Sequence, residues 1–494
     1  MSISRTKVSL GVALVVLFLV GAVSTSGNLP LITHASASLK LYDIVISNGR
    51  VMDPETQLDA IRNIGVSGGV IRAISTKPLK GRVMIDATGL IVAPGFIDVF
   101  WEIPSAFESA RLLDGVTTAL KLWIGTDDVD RWYAQREGEA LANFGVAVGH
   151  VPIRMAVMRD AGKLLPTGDA QRRAATDAEI TEIRQKIEHG LRRGAVAVSF
   201  SRINTPAASG WEGWEVFRAA SRSGAVVWGA PAGVDWEAED TPRSLTELIG
   251  MATATGAELC IVHISAYGPH TPRLLRMAEE AKAKGLKITG EVFPYTSAIS
   301  RLKLFGDSDV WRSWPEEYFH DLESMETGER LTRQSYAKYL ERDAVVIVHN
   351  NHLELILIEA LRNPNTLIVS AGYFDENGHG HPRSVGTHAR VLGHYVRERG
   401  KLSLMNALRK MTLMPAQLLE RRVPSMRRKG RLRQGADADI VVFDANRIID
   451  RANFKDPTHP SEGVQHVLVN GVFVVKHGVL QQGVRTGKPI RAPL

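Results

Sequence analysis

Histidine and carboxylate side chains follow apolar stretches of this chain, at places where they could hold a metal ion. His263 lies near the end of the apolar stretch Glu258–Ile264, and Glu102 closely follows the stretch Ile91–Val99. A catalytic zinc site takes about three nitrogen, sulfur or carboxylate ligands and keeps one position open for water. The bound ion lowers the pKa of that water and polarises a carbonyl group, which is the chemistry of amide hydrolysis. His263 and Glu102 alone supply too few ligands for such a site.

Two other histidines, His349 and His352, stand three residues apart and could share a helix face that binds a metal ion. A polar loop after a strand is the alternative for this segment. The single cysteine, Cys260, precedes His263 by three residues, a spacing that places the two side chains on opposite faces of a strand. One cysteine also excludes a disulfide within the chain.

The elements that must position these residues are apolar stretches that begin at residue 91. Helix-period segments separate several of them, most clearly Ala178–Arg193 and Pro272–Lys284. Apolar strands alternating with helices predict a parallel sheet covered on both faces, here a (β/α)8 TIM-like barrel with functional groups at the carboxyl ends of its strands. The predicted strands are Ile91–Val99, Val116–Leu122, Val146–Ile153, Ala195–Phe200, Ala225–Trp228, Glu258–Ile264, Lys287–Phe293, Ala344–Val348 and Thr366–Ser370.

The two ends of the chain carry a different β pattern. Short strand-like stretches with turn pairs such as Asn48-Gly49 and Asn470-Gly471 occur in residues 40–90 and 430–494. We expect these ranges to form one small composite β-sandwich domain, with the barrel at residues 91–429 inserted between them.

Residues 1–37 have the pattern of a signal peptide. Arg5 and Lys7 precede the apolar run Val8–Val23, and Ala35-Ser36-Ala37 resembles a cleavage site. An uncleaved N-terminal anchor is the alternative. We therefore expect an exported protein that is periplasmic, secreted or membrane-anchored, with a membrane contact only through this segment.

Composition narrows the function classes. Hydrophobic residues make up 44% of the chain and charged residues 23%, as in ordinary soluble domains. The net charge is +7, but no basic stripe is interleaved with aromatic residues, so nucleic-acid binding is not expected.

Nine motifs occur along nearly the whole chain from about residue 40. Four are Leu41–Val51, Ile91–Val99, Gly435–Asp444 and Val467–Gly471, and five are Gly149–Met158, Gly194–Ser199, Phe293–Tyr295, His379–Thr387 and Lys410–Ala416. The first four resemble the amidohydrolase superfamily, and the other five are similar to its D-aminoacylase-like group, the N-acyl-D-amino-acid deacylases. The resemblance implies a barrel with a flanking β-sandwich. It also implies zinc-dependent hydrolysis of an amide C–N bond in an acyl-amino-acid-like small molecule.

Most of the residues that this family uses for zinc are replaced. His263 stands at a family metal-binding histidine, and Glu102 is the second metal-ligand candidate, although a salt-bridged or solvated Glu102 is the alternative. Lys121 could form a carbamylated metal bridge or pair with an acid. At the other family positions, this chain has replacements for the expected residues. Phe100 replaces the first histidine of a His-x-His pair, Ile124 replaces a cysteine, Ala230-Pro231 replaces a strand-end histidine and Ala371 replaces the catalytic aspartate.

Polar residues near these positions could compensate or bind substrate. Asp375 and Glu376 could replace the missing acid only if their loop folds back. His381 and Arg383 lie in a family segment that we interpret as a loop over the barrel mouth that contacts the substrate. We interpret His150 and Arg154 instead as residues that support the end of a strand.

The sequence therefore leaves two functions open. One is a family hydrolase with reduced or altered activity, and the other is a non-catalytic pseudoenzyme that binds a small molecule or a protein partner.

Overall fold

The structure, a computed structural model, describes residues 41–100, 105–232, 240–305, 309–351 and 353–494. The predicted leader at residues 1–37 lies outside these ranges. The strands are β1 Leu41–Asp53, β2 Leu58–Ser67, β3 Val70–Ser75, β4 Lys80–Asp86, β5 Ile91–Pro94, β6 Phe96–Asp98, β7 Val116–Thr126, β8 Asn143–Gly149, β9 Val198–Ser201, β10 Val226–Ala230, β11 Glu258–Ile261, β12 Ile288–Val292, β13 Ala298–Arg301, β14 Leu322–Ser324, β15 Val345–Val348, β16 Thr366–Ile368, β17 Ile440–Phe443, β18 Val464–Val469, β19 Val472–Lys476 and β20 Val479–Leu480.

Helices occupy most of the connections between these strands. The segment Val391–Glu398 is a π-helix that continues α12, and short 3-10 turns flank several of the loops. The α-helices are α1 Glu108–Leu113, α2 Val129–Ala134, α3 His150–Val157, α4 Asp169–Arg172, α5 Asp177–Arg192, α6 Gly210–Arg222, α7 Asp240–Thr255, α8 Thr271–Ala283, α9 Glu316–His320, α10 Arg333–Glu341, α11 Glu354–Arg362, α12 Arg383–Arg390, α13 Leu404–Met411 and α14 Leu413–Leu419.

Eight parallel strands form the predicted barrel, in the order β6-β7-β8-β9-β10-β11-β12-β16. Side chains connect the first strand to the last. Oδ1 of Asp98 accepts a hydrogen bond from the backbone N–H of Ser370 at 3.1 Å, and the Ser370 hydroxyl donates to the carbonyl of Phe100 at 3.2 Å. The fold-class prediction of a barrel with a separate β domain from both chain ends is confirmed.

The second domain is built around a nine-stranded mixed sheet that contains strands from both ends of the chain. Strand β5 pairs antiparallel with β17, with Val92 opposite Val442, and it pairs parallel with β1. Residues 91–94, which we predicted as the start of the barrel, therefore lie in this outer sheet.

The predicted single strand Ile91–Val99 is wrong, because it is two strands in two different sheets. Pro94 ends β5 and Gly95 separates it from β6. A Cβ atom on Gly95 would lie 2.2 Å from side-chain atoms of Thr117 on the neighbouring strand β7, so only glycine fits this crossing point.

A small antiparallel sheet, β13-β15-β14, is inserted between β12 and β16. The predicted barrel strand Ala344–Val348 is β15 of this inserted sheet, so that prediction is wrong. A short apolar run has the same appearance in either kind of sheet. The predicted strand Val146–Ile153 ends earlier, at Gly149, and His150 begins α3.

Within the described ranges, no helix has the length and apolar composition needed to cross a membrane.

Candidate functional site

A cavity of about 370 Å³ opens at the carboxyl ends of the barrel strands, where barrel enzymes place their active sites. The inserted sheet contributes one side through residues 298–301, Val345 and Val348, and the loop residues Leu164, Leu165 and Thr167 contribute another. The barrel side is formed by Phe100, Trp123, Ile203, Asn204, Ala230, Val262, His263, Phe293 and Ala371. Most of these side chains are apolar. Arg383 is a charged side chain that lines the cavity and is deeply buried.

His263 follows β11 in a left-handed backbone conformation, with φ 51°. Its ring lies among aromatic rings, with centroid distances of 5.1 Å to Phe100, 6.2 Å to Trp123 and 5.5 Å to Phe293. Burial, together with the charge of Arg383, lowers the pKa of His263 to about 3. His263 is therefore neutral at physiological pH, and its Nε2 has no hydrogen-bond partner among the described residues.

Glu291 lies in the barrel interior next to His263, and our sequence analysis missed it. Its Oε2 is 3.9 Å from Nε2 of His263, and its Oε1 accepts a hydrogen bond from Nε1 of Trp228 at 2.6 Å. Burial raises the pKa of Glu291 to about 8, and the nearby charge of Asp98 adds to this increase. The sequence signal was an acidic residue inside a predicted buried strand, here β12.

These residues do not fit a zinc ion. The described ranges contain no group of three His, Cys, Asp or Glu side chains that could hold a metal. Phe100, Ala230 and Ala371 line the cavity at the positions where our sequence analysis looked for metal ligands and the catalytic acid, and none of them has a donor atom in its side chain. The two remaining candidates for additional ligands, Glu102 and His352, lie outside the described residues.

Ile124, where our sequence analysis looked for a cysteine ligand, does not line the cavity. It packs in an apolar cluster with Val151 and Met155 of α3. Trp123, one residue earlier on the same strand, lines the cavity instead. Successive side chains of a strand point to opposite sides, so the cavity gains a large aromatic ring at this strand.

Ala371 keeps a backbone conformation that is unusual for alanine. Its φ is 48°, in the left-handed region, where aspartate and asparagine are enriched over other non-glycine residues. The backbone at this position would therefore accept the aspartate that our sequence analysis expected there.

Of the two predicted substrate-loop residues, only Arg383 lines the cavity. His381 is fully buried, and both of its ring nitrogens are used: Nδ1 accepts from the backbone N–H of Arg383 at 3.1 Å, and Nε2 pairs with the Ser297 hydroxyl at 2.8 Å. His381 therefore holds the segment that carries Arg383.

Arg383 is buried without an ion-pair partner among the described carboxylates. Its Nη1 donates a long hydrogen bond of 3.4 Å to the carbonyl of Ser297, and its Nε has no partner. The guanidinium carbon lies 4.3 Å from the ring centroid of Phe293. Burial lowers the pKa of Arg383 to about 9, so the side chain keeps its positive charge at neutral pH.

The other polar residues that we singled out are engaged elsewhere. His150 and Arg154 both contact the buried carboxylate of Glu212, which fits support of the strand end. His349 follows β15 rather than lying on a helix, and its Nε2 is 3.0 Å from Glu323. Neither acid of the loop after Ala371 lines the cavity, and Asp375 accepts hydrogen bonds from its own loop, including the backbone N–H of His379 at 2.9 Å.

Together, the nearly closed eight-stranded barrel, the composite sheet and the cavity at the strand ends define a TIM-barrel fold with a separate β domain. A family model described as the amidohydrolase family matches residues 376–475. The chain is 27% identical to the N-acyl-D-glutamate deacylase of Alcaligenes xylosoxydans xylosoxydans over 87% of this chain and 93% of that protein. It is 28% identical to the D-aminoacylase of the same organism over 88% of this chain and 94% of that protein.

A solved structure has the same fold. The N-acyl-D-glutamate deacylase of Bordetella bronchiseptica, complexed with zinc and a phosphonate inhibitor, matches with a TM-score of 0.78 at 24% identity, over 92% of this chain and 100% of that chain. Residues 376–475 thus match the amidohydrolase family, and most of the chain is similar in sequence to N-acyl-D-glutamate deacylase and D-aminoacylase.

Proposed function

We propose that this chain binds a small carboxylate of the acyl-amino-acid kind at the barrel mouth and carries out little or no zinc-dependent hydrolysis. Its similarity to deacylases of N-acyl-D-amino acids supports the ligand class. The observation that supports the loss of hydrolysis is the cavity itself, where Phe100, Ala230 and Ala371 replace donor side chains. Without a zinc site, an amide carbonyl is not polarised and the attacking water is not activated.

Arg383 is the reason to propose binding as the retained function. A buried cation without a counter-charge is costly, and a carboxylate that entered the cavity would supply that charge. The planar guanidinium can bind a carboxylate through two parallel hydrogen bonds, which are stronger than bonds between neutral groups. The leader-like pattern of residues 1–37 further supports an exported binding protein.

A rebuilt hydrolytic site is the second candidate. One observation favours it, because the nearby side chains of His263 and Glu291 could both contribute to metal binding. Such a site would still need at least one further ligand.

Metal analysis and an activity assay separate the two functions. We expect the full chain, purified after growth with added zinc, to contain far less than one zinc per protein and to release no amino acid from N-acetyl-D-glutamate, N-acetyl-D-leucine or N-acetyl-D-aspartate. A stoichiometric zinc ion whose removal by a chelator abolishes turnover would show that the hydrolytic candidate is correct.

Restoring the family acid alone should not restore hydrolysis. We expect Ala371→Asp to fold, because the left-handed backbone accepts aspartate, but to show no turnover of the same three compounds, because Phe100 still cannot bind zinc. Circular dichroism and the thermal midpoint check the fold, and Ala371→Asn is the uncharged control. Turnover by Ala371→Asp but not by Ala371→Asn would mean that only the acid had been lost.

A further inference from the structure

We infer that the ligand of this cavity is a carboxylic acid with an aromatic or branched hydrocarbon group, which packs against an aromatic wall formed by Phe100, Trp123 and His263. This inference rests on the proposed binding function and adds the chemical class of the ligand. Phe100 and His263 stand at positions where our sequence analysis looked for metal ligands, and Trp123 is next to a third such position.

The aromatic wall is continuous and uncharged. The rings of Phe100 and Trp123 stack at 5.2 Å with 22° between their planes, and the ring of His263 packs against both. All three side chains line the cavity. A ligand that covers these rings removes apolar surface from water.

The cation and the wall face the same cavity on neighbouring sides. Phe293 stands between them: the Arg383 guanidinium lies over its ring at 4.3 Å, and the His263 ring meets it nearly at a right angle at 5.5 Å. A ligand that contacts both features therefore needs an anionic group close to a hydrocarbon group. An amine would be repelled by Arg383, and a neutral amide would lose the charge-assisted hydrogen bonds.

The rest of the cavity fits the same ligand class. Its volume of about 370 Å³ lies in the range of small-molecule sites, which are mostly apolar with a few fixed polar groups. Additional apolar surface beside the wall comes from Leu165, Ile203, Val262 and Ala371. Asn204 and Asn351 are among the polar lining side chains that could orient a ligand amide, and both also make hydrogen bonds within the protein.

Calorimetric titration of the full chain with phenylacetate, acetate and phenylacetamide tests the inference. We expect phenylacetate to bind about 10- to 100-fold more tightly than acetate, because its ring covers the aromatic wall. We expect phenylacetamide to bind at least about 10-fold more weakly than phenylacetate, because it cannot pair with the charge of Arg383.

Two variants and a control assign these preferences to residues. Trp123→Ala should reduce the preference for phenylacetate over acetate to a few-fold, and Arg383→Met should weaken phenylacetate at least about 10-fold. Trp211→Ala removes an exposed tryptophan of α6 and should change neither value. If Trp123→Ala fails to fold, the affinities of the unmodified chain for the three ligands still test the inference.

The outcomes separate failure of this inference from failure of the proposed function. Equal affinity for acetate and phenylacetate would overturn the aromatic wall as the hydrocarbon site while leaving carboxylate binding intact. Equal affinity for phenylacetate and phenylacetamide would overturn the role of Arg383 and with it the carboxylate binding of the proposed function, and no binding of any of the three would overturn both. Zinc-dependent turnover would overturn the other part of the proposed function, the loss of hydrolysis.

Discussion

Replacing Asp98 by alanine should lower the free energy of unfolding by about 3–5 kcal/mol, because it breaks a buried ion pair by removing the carboxylate that accepts from Arg111. Nη1 of Arg111 donates to Oδ2 of Asp98 at 2.8 Å, and both side chains are almost completely buried. The same carboxylate accepts the backbone N–H of Ser370, which joins the last barrel strand to the first. Urea unfolding, followed by circular dichroism, measures the loss.

The matched control is Asp59→Ala. Asp59 pairs with Arg50 at 2.6 Å, but both side chains are exposed, and such pairs contribute about 0–1 kcal/mol. If the two variants lose similar stability, the connection through Asp98 does not stabilise the barrel in the way that we infer.

The second large effect concerns the pH dependence of stability, through Glu291. In the folded protein burial raises the pKa of this carboxyl from 4.5 to about 8, so the folded state binds a proton that the unfolded state has released between these values. The stabilisation is therefore fully present at low pH and is lost as the pH rises to 8. The loss that Glu291 contributes is at most roughly 5 kcal/mol.

Glu291→Gln should remove this contribution, because glutamine keeps an acceptor for Nε1 of Trp228 and does not ionise. We expect the variant to lose less stability than the unmodified chain between about pH 5 and about pH 8.5, as measured by urea unfolding at the two pH values. The exposed Glu182→Gln serves as control and should leave the pH dependence unchanged. The same pH dependence in all three proteins would show that Glu291 is already ionised near neutral pH.

The barrel could be predicted from the sequence because its strands are buried on both faces and read as short apolar runs between helices. The break inside residues 91–99 could not be predicted, since it depends on the close contact between Gly95 and Thr117 of another strand. The inserted sheet was misassigned for a similar reason. Val345–Val348 is as apolar as a barrel strand, and only its antiparallel partners distinguish it.

The candidate site was predicted in part. The motif order placed His263, Arg383 and Ala371 near one another, and the structure brings all three to the same cavity. The sequence could not show that Trp123, rather than Ile124, turns toward this cavity, because that depends on the face each strand residue takes. Glu291 was missed because its importance comes from burial beside His263, which sequence spacing does not reveal.

The composite sheet has a consequence for how the chain is made. Strand β5 needs β17 as a neighbour, and the whole barrel lies between them in the sequence. During synthesis, the N-terminal strands and the barrel segment leave the ribosome before β17. Until β17 follows, one hydrogen-bonding edge of β5 therefore has no partner strand. Pairings between such distant segments form slowly, so the composite sheet is completed only after the residues that follow the barrel have been synthesised.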